Sequence, residues 1–366
     1  MRKIVLTGGG TAGHVSPNIA LLPSLQQLGW QVEYIGSYDG IERQLISDIG
    51  IAYHGIASGK LRRYIDFQNF TDPLNVIKGV WEAFWLLRKI KPTIVFSKGG
   101  FVTVPVIVSS WLNRIPVIIH ESDLTPGLAN KISMPFATKI CVTFPETLAY
   151  IPKAICTGLP IRQEILSGDA IAGMKLCGFD RSLPILLVIG GSTGAQRINQ
   201  VVRACLDRLT PKFQIVHACG KGQSDRQWEN RQNYRQFEYL GAELADILAM
   251  TDLVVSRAGA NAIFEFLALQ KPNLLIPLSK AASRGDQILN ARSFANMGYS
   301  AVLPEENLTE ASLIESIDDL FASKQDYVAK MRGGTHPAGN RASGDSIAQI
   351  MQLIEVTDAM QKRRPD

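Results

Sequence analysis

Two places in the chain combine a short, mostly apolar run with a glycine-rich loop and a helical pattern directly after it. The first run, Lys3–Thr7, leads into Gly8-Gly9-Gly10, and the second, Ile185–Ile189, leads into the loop Gly190–Gly194. Short buried strands that alternate with helices form parallel sheets covered by helices on both faces. The repeat therefore predicts two α/β units of the same kind, each built on a parallel sheet.

The same alternation of apolar runs and helical segments continues after each glycine-rich loop. Helices are predicted directly after the two loops, over Ser16–Leu28 and Ala195–Leu209, and a last helix over Asp345–Val356. A disordered tail is predicted over Gln361–Asp366. Further strands are predicted at 31–35, 93–96, 117–120 and 139–143, and at 214–217, 253–256, 273–276 and 300–303.

The length of 366 residues agrees with two domains. The boundary is expected near Gly158-Leu159-Pro160, where the first run of strands ends. The predicted domains are an N-terminal one at 1–160, a C-terminal one at 161–335, and a segment at 336–366 whose helix returns toward the first domain.

Composition excludes several classes of protein. Lys and Arg number 38 and Asp and Glu 33, so the net charge of +5 is too mild to indicate nucleic-acid binding. The first residues lack the apolar core of a signal peptide, and no apolar run is long enough to span a membrane. No C-x-x-C pair occurs, which argues against a zinc site or a disulfide framework and favours free thiols in a reducing compartment. The cysteines are Cys141, Cys156, Cys177, Cys205 and Cys219.

The first glycine-rich loop, Gly8–Gly13, matches the G-x-G-x-x-G pattern of dinucleotide-binding sites. Such sites need an acidic residue at the end of the next strand, but Glu33 lies in mid-strand, so a nicotinamide or flavin site is disfavoured. A turn without a ligand remains an alternative. His14 follows the loop at the sheet edge where ligands of open α/β sheets bind, and a neutral imidazole there can act as a general base.

Features of the second half point to a nucleotide. The loop Gly190–Gly194 suits a phosphate at a helix N-terminus, lacks the ending of an ATP-hydrolysing P-loop, and has Arg162 as a candidate fixed cation. In the stretch Arg257-Ala258-Gly259-Ala260-Asn261, the small residues allow a base or ribose close to the backbone, and Glu265 on the next helix can accept ribose hydroxyls. Glu265 as an ordinary surface residue is the alternative. With no D-x-D pair and no metal-ligand spacing, we expect helix dipoles and arginine, not a metal, to neutralise a diphosphate.

Seven stretches resemble the MurG family of bacterial N-acetylglucosaminyltransferases, in family order across nearly the whole chain. They are GGGTAGHVSPNIALLPSL, FSKGGFVTVPV, IPVIIHESDLTPGLANK, GLPIR, VIGGSTGAQRINQ, SRAGANAIFEFLALQKPNLLIP and SRGDQILNA. The resemblance implies the GT-B fold, with two Rossmann-like domains facing a cleft. It also implies inverting transfer of GlcNAc from UDP-GlcNAc to the muramyl 4-hydroxyl of lipid I, giving lipid II and UDP without a cofactor. The first domain would then be the acceptor half and the second the donor half.

From its place after the first loop, His14 is expected to assist deprotonation of the acceptor hydroxyl. The resemblance implies the roles of the other residues. Thr11, Ala12 and Gly13 would touch the transferred sugar and the acceptor side, Arg162 and Ser192 the diphosphate, Gly241 the uracil, Ala260, Asn261 and Glu265 the nucleoside, and Gln287 the GlcNAc hydroxyls. The family often has HEQN where this chain has His120-Glu121-Ser122-Asp123. An Asp beside a diphosphate is repelled, so we expect Asp123 to hydrogen-bond sugar hydroxyls or to turn away. Ala12 replaces a common glycine.

An aromatic stripe in the first half suggests contact with the membrane that carries the lipid acceptor. Apolar residues repeat at i, i+1, i+4 and i+5, with basic residues within and beyond the stripe, which suits an anionic membrane surface. Seven basic and three acidic residues between Lys60 and Lys91 leave +4, nearly the whole net charge. Packing of the stripe into the domain core is the alternative. The proposed patch comprises Lys78, Val80, Trp81, Phe84, Trp85 and Arg88.

We expect the protein to lie peripherally on the cytoplasmic face of the membrane, with UDP-GlcNAc and lipid I as its ligands. Cell-wall and division proteins remain open as further partners. Two other functions also remain open. One is another UDP-sugar enzyme on the same fold, with a different lipid acceptor or UDP-GlcNAc 2-epimerase activity. The other is a non-catalytic UDP-sugar-binding scaffold.

Overall fold

The computed structural model of the chain describes residues 2–59, 68–191, 194–280, 283–333 and 343–362. Contacts divide the chain into two compact units. Unit 1 comprises Met1–Arg162 with Arg341–Asp366, and unit 2 comprises Gln163–Asn340. Each unit contains one parallel sheet with its own hydrophobic core, so the prediction of two α/β units is confirmed.

In the described part of unit 1, seven parallel strands form a sheet in the order β3-β2-β1-β4-β5-β6-β7. Successive residues of β1 enter different cores, because Ile4 and Leu6 pack on one face of the sheet and Val5 on the other. The sheet is therefore buried on both faces. Its strands are β1 (Lys3–Thr7), β2 (Gln31–Ser37), β3 (Ala52–Ile56), β4 (Ile94–Ser97), β5 (Val117–Glu121), β6 (Lys139–Val142) and β7 (Ile155–Cys156).

Five of these strands were predicted, and the two at the sheet edges were not. β3 contains His54 and Gly55, which weaken its apolar pattern, and β7 has only two residues. Edge strands pair on one side only, so their sequences need not be continuously apolar.

The helices of unit 1 cover the two faces of this sheet. α1 begins one residue before Pro17, whose fixed φ suits a first helical turn. One face of α3 is buried through Ala83 and Leu87, and this face packs with α4. The helices are α1 (Ser16–Gln27), α2 (Ile41–Ser47), α3 (Gln68–Ile90), α4 (Thr103–Leu112) and α5 (Leu128–Ser133).

In the described part of unit 2, six parallel strands have the order β10-β9-β8-β11-β12-β13. The glycine-rich loop of this unit follows β8, as the loop of unit 1 follows β1. The strands are β8 (Ile185–Ile189), β9 (Gln214–Ala218), β10 (Tyr234–Phe237), β11 (Leu253–Ser256), β12 (Asn273–Leu275) and β13 (Ser300–Val302). Only the edge strand β10 was not predicted.

The prediction of one helix over Ala195–Leu209 is wrong, because the helix breaks at Cys205. The N–H of Cys205 is shared between the carbonyls of Val201 and Val202, and a second short helix then turns Leu206 and Leu209 fully into the core. The helices of unit 2 are α6 (Gln163–Leu166), α7 (Ala170–Cys177), α8 (Gln196–Ala204), α9 (Leu206–Leu209), α10 (Leu244–Met250), α11 (Ala260–Ala268), α12 (Asp286–Asn296), α13 (Glu310–Ala322) and α14 (Lys324–Gly333).

The last helix, α15 (Ser343–Lys362), packs on unit 1 beside α1. Glu355 accepts hydrogen bonds from Trp30 Nε1 at 2.7 Å and from Arg2, whose guanidinium lies over the Trp30 ring. The prediction of disorder from Gln361 is wrong for Gln361 and Lys362, which extend this helix, and Lys362 pairs with the buried Asp358 one turn earlier.

None of the helices in the described residues is both long enough and apolar enough to cross a membrane.

Candidate functional site

The glycine-rich loops that follow β1 and β4 lie against each other in unit 1. The N–H of Gly9 donates to the carbonyl of Gly99 at 3.3 Å. A Cβ on Gly100 would lie 2.3 Å from the carbonyl oxygen of Gly9, and Gly100 has a φ of +93°. Close packing and a left-handed backbone both require glycine there. Two backbone loops thus share the carboxyl edge of the sheet, where ligands of open α/β sheets bind.

His14 stands at the end of the first loop, in a 3-10 turn over Ala12–His14. Its Nδ1 lies 3.0 Å from the hydroxyl of Thr11, and its backbone N–H donates to the carbonyl of Thr11. The side chain is half-buried. A neutral imidazole that donates from Nδ1 to Thr11 has a lone pair at Nε2, which is the form a general base requires.

The buried carboxylate of Glu121 organises the loop after β5. It accepts hydrogen bonds from the N–H groups of Asp123 at 3.0 Å and Gly127 at 2.9 Å, and from the Asn130 side chain at 2.8 Å. These bonds fix the backbone of Asp123, which is, with Ser122, one of the two positions that depart from the HEQN pattern. Asp123 itself is half-buried.

Arg162 is the last residue of the first segment of unit 1 and is half-buried. Its Nε atom is fully buried and has no hydrogen-bond partner among the described residues. A buried guanidinium N–H without an acceptor is costly, so the position suits an anionic ligand.

The glycine-rich loop of unit 2 packs on the loop after β9. A Cβ on Gly194 would lie 2.2 Å from the carbonyl oxygen of Cys219. The side chain of Asn199 on α8 donates to the same carbonyl at 2.8 Å and also contacts Nε2 of His217 at 3.0 Å. Burial lowers the pKa of His217 to about 3, so this imidazole is neutral. Ser192 lies outside the described residues.

The predicted nucleoside-binding residues of unit 2 follow its sheet strands. Ala260 opens α11 directly after β11 and is buried, and Asn261 and Glu265 on the same helix are half-buried. Gln287 lies in the first turn of α12, where its Oε1 accepts the N–H of Leu278 at 3.1 Å. Gly241 lies between β10 and α10, and its N–H donates to the Glu243 carboxylate at 3.0 Å.

An ion pair between the buried Arg257 and the partly buried Glu305 connects three loops at this edge of unit 2. Arg257, just after β11, donates to Glu305 at 2.5 Å and to the carbonyl of Ile276 at 3.0 Å. The N–H of Ser279 donates to the same carboxylate. Burial raises the pKa of Glu305, but the hydrogen bonds from Arg257 and Ser279 outweigh it and hold the pKa below its usual range. The Arg257 guanidinium is therefore held by its hydrogen bonds to these loops.

Within the described residues, no group of three or more His, Cys, Asp and Glu side chains is placed to hold a metal ion.

Comparison with known proteins adds a family. The model of the glycosyltransferase family 28 N-terminal domain matches residues 4–142, and that of its C-terminal domain matches residues 185–343. A protein of Geobacillus thermodenitrificans is 56% identical over 97% of this chain and 99% of its own length. One of Lachnoclostridium phytofermentans is 54% identical over the same shares. Both are named UDP-N-acetylglucosamine--N-acetylmuramyl-(pentapeptide) pyrophosphoryl-undecaprenol N-acetylglucosamine transferase.

The chain belongs to the MurG family. Among solved structures, MurG of Acinetobacter baumannii superposes with a TM-score of 0.72 at 22% identity, covering 96% of this chain and 100% of that one. A UDP-GlcNAc 2-epimerase of Neisseria meningitidis gives 0.69 at 14% identity, with the same coverage. At such identities these structures show the shared GT-B fold and no more.

Two buried residues at the site of this MurG-family chain were not predicted. Lys98 follows β4 directly and His120 lies near the end of β5, and the two side chains are in contact. Glu42, which holds the first glycine-rich loop, was also missed. Lys98 carries a detectable signal, because a charged residue directly after an apolar run falls at the binding edge of the sheet. The sequence feature that accompanies Glu42 is Gly40, and a glycine at that position is equally typical of an ordinary turn.

The proposed membrane patch of the MurG-family chain divides between two faces of α3. Trp81 and Trp85 are exposed by 65% and 52%, whereas Val80 and Phe84 are half-buried. The Arg88 guanidinium lies over the rings of Phe84 and Trp85, and the exposed Lys78 pairs with Glu82. Of the basic residues counted from 60 to 91, Lys60, Arg62 and Arg63 lie outside the described residues.

Proposed function

We propose that this chain transfers GlcNAc from UDP-GlcNAc to the muramyl 4-hydroxyl of lipid I, with inversion, and releases lipid II and UDP. The observation that carries the proposal is identity of 54–57% to relatives named for this transfer, two of them aligned over 97% of this chain and 99% of their own length. The product serves peptidoglycan synthesis, and therefore cell shape and division.

The donor half is unit 2 together with Arg162. Gly241 binds the uracil, Ala260, Asn261 and Glu265 bind the nucleoside, and Gln287 contacts the GlcNAc hydroxyls. The bond from Leu278 to Gln287 Oε1 supports this role of Gln287, because it orients the amide so that its NH₂ group faces away from that backbone. Arg162 and Ser192 bind the diphosphate, and the unpartnered Nε of Arg162 supports its part.

The acceptor half is unit 1. His14 removes the proton from the attacking hydroxyl through Nε2, while the Thr11 hydroxyl accepts a hydrogen bond from Nδ1–H and holds the ring in that tautomer. Thr11, Ala12, Gly13 and Asp123 surround the sugar. Arg162 and the N-terminal end of α8 stabilise the charge that develops on the departing UDP.

Unit 1 also docks the protein peripherally on the cytoplasmic face of the membrane. Exposed Trp81 and Trp85 enter the interface, and Lys78 and Arg88 approach anionic headgroups. The half-buried Val80 and Phe84 pack the other side of the stripe against the domain.

The test is to incubate the protein with UDP-GlcNAc and a lipid I analogue, without added metal, and to follow UDP release. Turnover that requires both substrates supports the proposal. Tight UDP-GlcNAc binding without turnover contradicts it and favours another UDP-sugar activity. Release of free sugar isomers in the absence of the analogue points to an epimerase.

A further inference from the structure

Lys98 is a buried lysine at the binding edge of the unit 1 sheet. Its side chain is 1% exposed, and its backbone N–H donates to the carbonyl of Thr7 at 2.9 Å. Its Cβ lies 3.3 Å from the point that a Cβ on Gly8 would occupy. Lys98 is thus packed directly behind the first glycine-rich loop.

The side-chain nitrogen of Lys98 joins the ends of two strands. It lies 2.6 Å from Nδ1 of His120 and 2.5 Å from the hydroxyl of Ser122. Nε2 of His120 lies 2.8 Å from the carbonyl of Gly158, which can only accept, so Nε2 carries the proton and Nδ1 accepts from Lys98. The hydrogen bonds therefore have one direction: Lys98 donates to both His120 and Ser122.

This arrangement does not depend on the charge of Lys98. Burial lowers the pKa of Lys98 to about 7, although Glu121 and Asp123 on the β5 side and Cys141 on β6 act in the opposite direction. Burial and the nearby lysine lower the pKa of His120 well below its usual range, so the ring stays neutral. An amine and an ammonium both supply the two N–H groups that the geometry uses.

We propose that Lys98 is a positioning residue of the acceptor half, which fixes the loop from Ser122 to Gly127 by tying Ser122 and His120 to the end of β4. Asp123 directly follows Ser122, whose hydroxyl accepts the hydrogen bond from Lys98. The Glu121 carboxylate holds the backbone N–H groups of Asp123 and Gly127. The proposal rests on the proposed function in one respect: it assigns this loop to the sugar-binding side.

The kinetic test compares Lys98→Met, Ser122→Ala and Ser122→Thr with wild type. The matched control is Lys153→Met, which removes an exposed lysine from the same unit. We expect Lys98→Met and Ser122→Ala to lower kcat/KM for the lipid I analogue by about ten-fold, the effect of losing one buried hydrogen bond. The dissociation constant for UDP, which lacks the sugar, stays unchanged. Ser122→Thr keeps the hydroxyl and restores turnover.

The double variant Lys98→Met with Ser122→Ala distinguishes the loss of one shared hydrogen bond from a general destabilisation of the unit. Because both changes break the same hydrogen bond, the double variant is expected to be no worse than Lys98→Met alone. Additive losses, equal losses in UDP affinity, or wild-type kinetics in folded Lys98→Met would overturn the proposal. If Lys98→Met does not fold, Ser122→Ala against Ser122→Thr gives the same decision.

Hydrogen exchange tests the tie without any substrate. The amides of Asp123 and Gly127 are expected to exchange faster in Ser122→Ala and Lys98→Met than in wild type. In Lys153→Met they should exchange at the wild-type rate. Unchanged exchange in both tie variants contradicts the proposal. If wild type shows no turnover, the proposed function fails, and the exchange result still decides the role of Lys98.

Discussion

The buried carboxylate of Glu42 accepts the backbone N–H of Gly10 at 3.2 Å, 32 residues away in sequence. Its other oxygen accepts the N–H of Ser37 at 3.0 Å and the Ser37 hydroxyl. A Cβ on Gly9 would lie 2.6 Å from this carboxylate, so the loop packs tightly on it. Glu42 therefore holds the first glycine-rich loop against the end of β2.

Replacing Glu42 is expected to loosen that loop. Glu42→Gln places an amide NH₂ group among N–H donors, and the cost is about 1–3 kcal/mol of unfolding free energy. Urea unfolding measures the cost, and UDP release measures the accompanying loss of turnover. Asp39→Asn, an exposed change nearby, is the control and should match wild type in both. Equal behaviour of the two variants would refute the role of Glu42.

The contact between the two glycine-rich loops predicts an unequal response to alanine. Gly100 and Gly50 both have positive φ, +93° and +75°, but only Gly100 has a neighbour that a Cβ would strike. Gly50→Ala should lose about 1–2 kcal/mol from the left-handed backbone alone. Gly100→Ala should lose clearly more, together with turnover. Denaturant unfolding of both variants checks this, and similar losses would show that the loop contact carries no energy.

His14 and Thr11 should act as a pair in catalysis. His14→Ala is expected to lower kcat by about 10²–10⁴-fold, the usual contribution of a general base, with UDP-GlcNAc binding intact. Thr11→Ser keeps the hydroxyl that orients the ring and should retain most activity, whereas Thr11→Val should not. Single-turnover assays with calorimetric binding measure both. Near-normal turnover of His14→Ala would require another base.

The Arg257–Glu305 pair predicts a pH-dependent stability. The pKa of Glu305 in the folded protein is held below its usual range. The ionised side chain therefore adds to the free energy of unfolding above its pKa in the unfolded chain, about 4.3, and this stabilisation is lost as pH falls through the pKa of the folded protein. Glu305→Gln should be less stable than wild type at neutral pH, and the difference should narrow only in the acidic range. Urea unfolding from pH 8 downward tests this, and a constant difference into acid would contradict the pairing.

Two isoleucines test the membrane patch. Ile77 on α3 is 66% exposed and Ile171 in unit 2 is 71% exposed, so the two alanine variants remove a similar area of exposed apolar surface. Ile77→Ala and Trp85→Ala should weaken co-sedimentation with vesicles containing anionic phospholipid, and Ile171→Ala should not. Vesicle binding that does not depend on anionic phospholipid would contradict the membrane role of α3. An equal loss of co-sedimentation in Ile77→Ala and Ile171→Ala would also contradict it.

The two glycine-rich loops and the strands before them could be read directly from the sequence. Lys3–Thr7 and Ile185–Ile189 form strands with the predicted ends, because a central parallel strand that is covered on both faces is mostly apolar. Edge strands such as Ala52–Ile56 escaped prediction because pairing on one side places no such demand on their sequence.

Local sequence also could not predict where helices break or end. Cys205 interrupts a pattern that is helical on both sides, because the core of unit 2 draws Leu206 and Leu209 inward. Asp358 and Lys362 extend the last helix because unit 1 buries its face. In both cases tertiary packing outweighs local preference.

Residue types and their order were enough to assign the family, the reaction and the candidate ligand contacts. The tertiary structure alone decided which side chains hold the loops that carry these candidate residues. Lys98 meets Ser122 and His120, and Glu42 meets Gly10, only because neighbouring parallel strands bring their carboxyl ends to one edge. The number of residues between two positions does not predict such pairs, because the order of strands in the sheet differs from their order in the chain.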